Sequence, residues 1–337
     1  MLRRALAAAM TLAAGLALTA CGSGEQVGSD TVVVYSAQHE GLTKSWVDAF
    51  TQETGIPVIV RSGRDFEIAN QIVAEGKNSR ADVFLTENSP AMGIVEQAGL
   101  FAEIPAATLA QVPAEFTPKS QRWVPVAARS TVFVYNKDKL SADQLPKSLM
   151  DLAKPEWRGR WGAAPGGADF QAIVSAMLQL SGQAATSAWL DGMKANAKVY
   201  TNNITTMQGV NAGEVDGGVI YSYYWYRDQA KTQENSRNTQ PHYFGGKDPG
   251  AFVSVSGGGV IAGSPRVDKA QQFLAYVTGK RGQEVLAKSD AMEYVVGNGL
   301  ASNPVLPPLS GLDAPVIDPA TLNGPTVIKL MTDKGLI

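Results

Sequence analysis

Short apolar runs and helix-spaced apolar positions alternate along the chain after residue 30. Residues 31–36 form a β-branched apolar run, which is typical of a buried parallel strand. In residues 41–54 the apolar positions recur at helical spacing, and this pattern stops at Gly55. Similar patterns predict a strand at 56–60, a helix at 65–75 and a strand at 81–86. Strands and helices that alternate with short connections predict an α/β sheet with right-handed crossovers.

A long β-rich segment at 123–136 separates these elements from a second set. We expect a strand of this length to pass from one lobe to another, and Arg129 within it to support the hinge or the cleft. Glycines 257–259 separate two apolar β segments, 251–256 and 260–262. The remaining patterns predict helices at 92–98, 169–180, 187–197, 205–212, 267–278, 282–287 and 326–334, and short strands at 199–200 and 218–221. The chain therefore contains enough α/β elements for two lobes.

The first 21 residues have the pattern of a secretory signal. Arg3 and Arg4 precede an apolar stretch, residues 5–20, that contains no acidic residue. The stretch ends in LTACG, which resembles the bacterial lipobox, and Cys21 is the only cysteine in the chain. We therefore expect residues 1–21 to be a lipoprotein signal peptide in which Cys21 is lipidated. Small polar residues at 22–30 are expected to form a flexible tether.

Length, charge and cysteine content narrow the class of protein. A chain of 337 residues is long enough for two separate cores. Loss of Arg3 and Arg4 with the signal leaves 27 basic against 31 acidic residues, a net charge of −4. A mildly acidic surface argues against nucleic acid as a partner. One cysteine excludes a disulfide within the chain.

Tyrosines cluster at residues 221–226, where the sequence reads YSYYWY. Adjacent side chains such as Tyr223 and Tyr224 converge on one target only where the backbone turns. A free phenol titrates near pH ~10, so a small, highly charged cation must displace its proton before the oxygen can act as a ligand. Ferric iron is the obvious biological cation of this kind. The alternative is an aromatic cluster that only packs.

Two further ionisable residues follow predicted strands. His39 comes after the first strand and Glu87 directly after the third, and ligands of α/β sheets bind at these strand ends. Alternatively, His39 is a satisfied polar residue and Glu87 caps the next helix. The only other histidine is His242, which is expected to lie in a solvated loop. Because the chain also lacks a free cysteine, an ordinary zinc or copper site is excluded. The acidic residues also lack calcium-loop spacing.

A glycine-rich loop at 165–168 precedes the predicted helix 169–180. Free N–H groups at such a helix start can seat an anion. Most loops of this kind only turn the chain, so the pattern by itself is a weak signal.

Three segments of the chain resemble the metal-site motifs of bacterial ferric-ion-binding proteins, the periplasmic receptors of iron-uptake ABC transporters. These segments are 34–40 (VYSAQHE), 81–87 (ADVFLTE) and 223–226 (YYWY). The tripeptides at 157–159, 248–250 and 282–284 also match in the same order. The resemblance extends from about residue 31 to the C-terminus.

This resemblance implies a fold, a ligand set and a partner. The fold is a type II periplasmic binding protein, two α/β lobes joined by a two-stranded hinge, with residues 31–128 and 252–305 in lobe 1 and residues 129–251 and 306–337 in lobe 2. The implied Fe(III) ligands are His39, Glu87, Tyr223 and Tyr224. The implied partner is an ABC transporter permease, to which a lipid-anchored, extracytoplasmic and monomeric receptor delivers iron.

Relatives commonly bind a synergistic anion, such as carbonate or phosphate, beside the metal. The corresponding positions here are Gly166, Gly167, Ala168, Asp169, Asn203 and Tyr221. This loop lacks the hydroxyl groups of the family, which puts the anion in doubt. Asp169 is expected either to cap the helix or to supply a fifth oxygen ligand that replaces the anion.

Two other functions remain to be weighed against an iron receptor. The same fold could bind a small oxyanion or a phosphonate at the glycine-rich helix start without any metal. A hydrolase is disfavoured because the sequence has no nucleophile elbow, and His39 is the only plausible general base near a cleft. We therefore expect a binding protein and not an enzyme.

Overall fold

The computed structural model describes residues 28–337, so the predicted signal peptide, Cys21 and most of the tether lie outside the described residues. The strands in the described part are β1 (Val32–Ser36), β2 (Val58–Ser62), β3 (Val83–Leu85), β4 (Val124–Asn136), β5 (Trp161–Ala163), β6 (Ala197–Val199), β7 (Gly217–Tyr221), β8 (Thr239–His242) and β9 (Val253–Val260).

The α-helices are α1 (Glu40–Thr54), α2 (Asp65–Glu75), α3 (Pro90–Gln97), α4 (Ala106–Leu109), α5 (Ala168–Asn196), α6 (Asn203–Asn211), α7 (Ser222–Lys231), α8 (Val267–Thr278), α9 (Lys280–Lys288) and α10 (Gly324–Asp333). Short 3-10 turns lie at Gly76–Asn78, Ala142–Gln144, Leu149–Ala153, Pro155–Trp157, Pro249–Ala251, Leu309–Gly311 and Pro319–Thr321. Between residues 28 and 337, no helix has both the length and the apolar character that a membrane crossing requires.

Within residues 28–337 the strands follow one hydrogen-bonded order, β2-β1-β3-β9-β4-β7-β5-β6, and β8 pairs with β4. β1 runs parallel to both β2 and β3, and β5 runs parallel to β6 and β7. Each half therefore has the parallel α/β arrangement that the alternating pattern predicted.

β4 joins the two halves. Its first part, from Val124 to Ser130, pairs antiparallel with β9, and its second part, from Thr131, pairs with β7 and β8. Where β4 crosses, the Thr131 N–H donates to the Phe252 carbonyl, so the returning chain lies beside it. The prediction that one long strand passes between lobes is confirmed.

Two large hydrophobic cores lie on either side of this crossing. The first contains side chains from Val32 to Ala128 and from Val253 to Leu312. The second contains side chains from Phe133 to Phe252 and from Leu322 to Leu336. Residues 306–337 were expected in lobe 2, yet Leu306 and Leu312 pack in the first core. Leu306 packs there with Val295 of the same core, and both side chains line one cavity.

The predicted break at glycines 257–259 is wrong, because β9 runs without interruption through all three. Each glycine lies against a side chain of the first core. A Cβ would lie 2.4 Å from Met92 at Gly257, 2.6 Å from Leu274 at Gly258 and 2.5 Å from Phe101 at Gly259. The glycines therefore allow helices and loops to approach a buried strand closely.

The two predicted helices at 169–180 and 187–197 form the single element α5 with a break inside it. Gly182 has φ 79° and ψ 166°, which no helix accommodates. Glycine tolerates this left-handed φ, so the chain changes direction there without a separate loop.

Candidate metal centre

The ends of two neighbouring strands bring His39 and Glu87 together. His39 follows β1 and immediately precedes α1, and Glu87 follows β3. Because β1 and β3 are parallel neighbours, their carboxyl ends meet at one edge of the sheet. His39 Nδ1 lies 2.7 Å from Glu87 Oε1. α3 begins after Ser89, so Glu87 does not cap that helix.

Tyr223 and Tyr224 lie in the first turn of α7, directly after β7. Their rings stack with centroids 4.1 Å apart, and the Tyr223 ring lies 4.9 Å from the His39 ring. The prediction that these tyrosines need a turn of the backbone to converge is confirmed. The strand-to-helix turn brings the Tyr223 ring against His39 and stacks the Tyr224 ring on Tyr223.

The Tyr223 side chain is fully buried, and its hydroxyl has no hydrogen-bond partner among the described residues. Burial, followed by the charge of Asp169, raises the pKa of both Tyr223 and Tyr224 well above that of a free phenol. Both are therefore neutral near pH 7 unless a cation displaces their protons.

Asp169 lies inside α5, so its predicted role as a helix cap is wrong. Gly167 occupies the N-cap position and makes no side-chain cap. The Asp169 carboxylate is buried and accepts hydrogen bonds from Asn88 Nδ2 at 2.9 Å, Asn203 Nδ2 at 2.7 Å and the Tyr224 hydroxyl at 3.0 Å. Burial and the nearby charge of Glu87 raise the pKa of Asp169.

Only some of the residues predicted to bind an anion lie close together. Gly166, Gly167 and Ala168 lie at the start of α5, and Asn203 reaches this region through Asp169. The Tyr221 hydroxyl has no hydrogen-bond partner among the described residues, and its ring lies beneath the Arg129 guanidinium at 5.9 Å.

Three residues around the metal candidates were not identified as functional from the sequence. Asn88 follows Glu87 and bridges to Asp169. Asp65 accepts the Glu87 N–H at 2.9 Å, and burial followed by the charge of Glu87 raises its pKa to about 7. Glu293 is fully buried beside Arg129 and His39. Only Asn88 could have been identified from the sequence, because it directly follows the predicted ligand Glu87.

His39 lies between two carboxylates. Its Nε2 is 2.9 Å from Glu293 Oε1, a close charge pair without the angle of a good hydrogen bond. Burial acts to lower the pKa of His39, but the contacts with Glu293 and Glu87 outweigh burial and raise the pKa to about 9. For Glu87, burial opposes the shift, yet the contact with His39 lowers its pKa.

The sequence predicted a solvated loop for His242, but this residue lies at the end of strand β8. Its Nε2 lies 3.0 Å from the Pro146 carbonyl oxygen, and its ring packs edge-on against Phe244. Burial lowers the pKa of this histidine. It lies apart from the centre and serves as an internal reference for His39.

A cavity of about 810 Å³ lies elsewhere, between residues 113–116 and 295–317. No histidine or tyrosine lines it. Among the described residues, no group of three or more His, Cys, Asp or Glu side chains has the geometry to hold a metal.

Known proteins share both the sequence and this fold. Residues 78–309 match the family described as bacterial extracellular solute-binding proteins. The chain is 58% identical over 332 residues to the Fe(3+)-binding periplasmic protein of Serratia marcescens, covering 98% of this chain and 96% of that protein. It is 35% identical over 294 residues to the major ferric iron-binding protein of Neisseria meningitidis serogroup B, covering 87% and 88%. The chain belongs to the bacterial periplasmic ferric iron-binding proteins.

A solved structure agrees with this membership. The crystal structure of iron-bound HitA from Pseudomonas aeruginosa has a TM-score of 0.84 and 40% identity to this ferric iron-binding protein, covering 90% of this chain and 99% of that one. The predicted type II periplasmic binding fold is thereby confirmed. The members of this family are solute-binding proteins, which confirms the prediction that the chain is not an enzyme. Their names also indicate an extracytoplasmic location.

We expect His39 of the iron-free protein to titrate at about pH 9. Because the pKa of His39 is higher in the folded protein than the value of 6.5 for a free histidine, protonated His39 stabilises the fold. This stabilisation is complete below about pH 6.5 and is lost as the pH rises through about 9. Nitrogen-15 histidine labelling followed by NMR measures this directly, because the chain has only two histidines. Glu87→Gln should lower the His39 pKa and leave His242 unchanged. A His39 midpoint at or below 6.5 in the wild-type protein would contradict the expectation.

Proposed function

We propose that this protein captures Fe(III) between its two lobes, as a monomer, and delivers it to an ABC permease. The proposed ligands are the oxygen and nitrogen donors of His39, Glu87, Tyr223 and Tyr224. His39 serves as a neutral imidazole, Glu87 as a carboxylate, and the two tyrosines as phenolates. The metal is cargo, so each ligand must both hold it and release it.

The buried Tyr223 hydroxyl is the observation that carries this proposal. A buried polar group without a partner costs about 1–3 kcal/mol. The described residues contain nine such side-chain atoms, so the neighbours of the Tyr223 hydroxyl, and not its lack of a partner alone, carry the argument. The Tyr223 ring lies next to the His39 imidazole and the Tyr224 ring, and His39 in turn contacts the Glu87 carboxylate. A cation bound at this point would displace the phenol proton to solvent and give the oxygen a partner, which accounts for an unpaired hydroxyl there.

The charges of the proposed ligands match a trivalent cation. Two phenolates and the Glu87 carboxylate offset the three positive charges of Fe(III), and a neutral His39 adds none. Hard oxygen donors also suit a hard cation better than a soft one. A divalent cation would leave the buried site with excess negative charge, so the ligand set favours Fe(III).

Residues from the two sides of the β4 crossing complete the site together. His39 and Glu87 come from the side of β1 and β3, and Tyr223 and Tyr224 from the side of β7. The Asn88–Asp169 hydrogen bond links the same two sides. Because no side holds all four donors, metal capture favours the closed arrangement and opening favours release.

We further propose that the Asp169 carboxylate takes the place of a synergistic anion. It is buried against Tyr224 and accepts hydrogen bonds from two asparagine amides, one from each side of the cleft. Its negative charge opposes a second anion at the start of α5. For the same reason, a metal-free receptor for an oxyanion or a phosphonate is disfavoured.

Tyr224→Phe tests the ligand set. The wild-type protein titrated with ferric citrate should develop a visible phenolate-to-iron absorption band that saturates at one iron per chain. Mutation of a residue that only hydrogen-bonds to a metal ligand typically lowers metal affinity about 10- to 100-fold. Loss of Tyr224, a direct ligand, should therefore lower iron affinity more than about 100-fold and weaken the absorption band. The matched control is Tyr200→Phe, because the Tyr200 hydroxyl contacts the exposed Glu214. A colourless wild-type protein that retains no iron would sink the proposal.

Asp169→Ala tests the anion. The wild-type protein should bind Fe(III) equally well in buffer freed of carbonate and phosphate and in buffer that contains them. Asp169→Ala should bind iron weakly without an added anion and recover when carbonate is supplied. Equal dependence of both proteins on the anion would show that Asp169 does not replace it.

We propose that lipidation of Cys21 anchors the protein to the membrane, where the permease lies. This proposal rests on the LTACG sequence and on the absence of any other cysteine. A dual-chain lipid anchor holds a protein stably at the membrane, and residues 22–30 would tether the body to it.

Cys21→Ser tests the anchor. In a bacterial host, the wild-type protein should fractionate with membranes and carry lipid on its first mature residue by mass spectrometry. The variant should lose this modification and appear in the soluble fraction. A wild-type protein that is processed after another residue and carries no lipid would refute the anchor without affecting iron binding.

A further inference from the structure

We propose that Glu293 is the positioning residue that orients the His39 imidazole for the metal, an inference that rests on the iron-binding function proposed above. Glu293 lies in the segment after α9, remote in sequence from every predicted ligand. Its side chain is completely buried. Such a carboxylate is costly unless charged or polar partners surround it.

The Glu293 carboxylate contacts both His39 and the residue before it. Oε1 lies 2.9 Å from His39 Nε2, close enough to accept its hydrogen after a small rotation of the ring, although the angle in this structure is not that of a good hydrogen bond. Oε2 accepts a hydrogen bond of 3.4 Å from Gln38 Nε2. Gln38 Oε1 in turn accepts the His39 backbone N–H at 2.7 Å. The ring and the backbone of His39 are therefore held from the same side.

Arg129 keeps Glu293 from acting as a ligand itself. Arg129 Nη2 lies 2.6 Å from the same oxygen, Glu293 Oε1, that faces His39, and both side chains are fully buried. Removing Glu293 from this contact would leave a guanidinium uncompensated in the protein interior. Glu87, in contrast, is partly exposed and contacts the other ring nitrogen, Nδ1, and its charge acts on both Tyr223 and Tyr224.

The chemistry of imidazole requires such a partner. A neutral ring that gives one lone pair to a metal carries its hydrogen on the other nitrogen, and a carboxylate that accepts this hydrogen fixes the orientation of the ring. Two carboxylates contact His39. Because Glu87 is a proposed ligand, Glu293 is the one that remains to accept the hydrogen.

The backbone holds Glu293 in place. Tyr294, the next residue, exchanges backbone hydrogen bonds of 2.8 and 3.0 Å with Ala128, which precedes Arg129 in β4. Met292, the residue before, has φ 54°, a left-handed conformation unusual for a residue other than glycine. Strained backbone of this kind persists where the surrounding structure requires a defined side-chain direction.

Glu293→Gln tests this inference in the full-length protein. Competition with citrate should show Fe(III) affinity reduced about 10- to 100-fold. In nitrogen-15 histidine spectra of protein loaded with diamagnetic Ga(III), the hydrogen on the metal-free ring nitrogen of His39 should shift and exchange faster than in the wild type. His242 should not change. The matched control is Asp48→Asn, an exposed carboxylate on α1, which should bind iron as the wild type does.

Each outcome is decisive. Wild-type protein that binds no iron refutes the proposed function itself. Wild-type binding together with equal affinity and unchanged His39 signals in Glu293→Gln refutes only the role of Glu293. If that variant does not fold, a crystal structure of the Ga(III)-loaded wild type decides the matter. Glu293 within hydrogen-bond distance of the metal-free ring nitrogen supports the inference, and Glu293 bound to the metal or turned away from the ring overturns it.

Discussion

The buried ion pair between Arg129 and Glu293 is the interaction on which the centre depends. Arg129 lies on β4, the strand that joins the two cores, and neither charge reaches solvent. Breaking such a pair from one side typically costs about 3–5 kcal/mol, because the remaining charge stays buried. The guanidinium also donates to the Glu87 carbonyl and to Ser256 Oγ. One buried cation therefore connects both ligand-bearing strand ends of the first side to the crossing strand.

The same guanidinium reaches the other side of the centre through aromatic rings. It lies 5.6 Å from the centroid of Tyr223 and 5.9 Å from that of Tyr221. Cation–π contacts of this kind contribute about 0.5–2 kcal/mol when desolvated. A positive charge beside Tyr223 also favours its phenolate, although burial and Asp169 outweigh it in the absence of metal. The protein is thus arranged so that only an additional strong cation produces the phenolate.

The hydrogen bonds at the centre bear on how the proposed metal would bind. In this structure His39 Nδ1 pairs with Glu87 and the Tyr224 hydroxyl donates to Asp169, whereas the Tyr223 hydroxyl is among the buried groups that have no hydrogen-bond partner in the described residues. Iron would replace the His39–Glu87 contact and take the Tyr224 oxygen from Asp169. At the proposed site the metal would therefore compete with internal hydrogen bonds and not only with water. Such competition would lower the affinity below that of a rigid preformed cage and would favour release on opening.

The sequence by itself determined the α/β elements and the crossing strand, because hydrophobic period is a local feature. Strand ends, adjacent tyrosines and the resemblance to a family also pointed to the four residues that are proposed as ligands. It did not determine that β9 continues through its glycines, that Asp169 lies inside α5 or that Leu306 returns to the first core. Those outcomes depend on which side chains approach from distant parts of the chain. Glu293 shows the limit most clearly. Nothing near it in sequence distinguishes it from other carboxylates, and only the pairing of its neighbour with β4 brings it to Arg129 and His39.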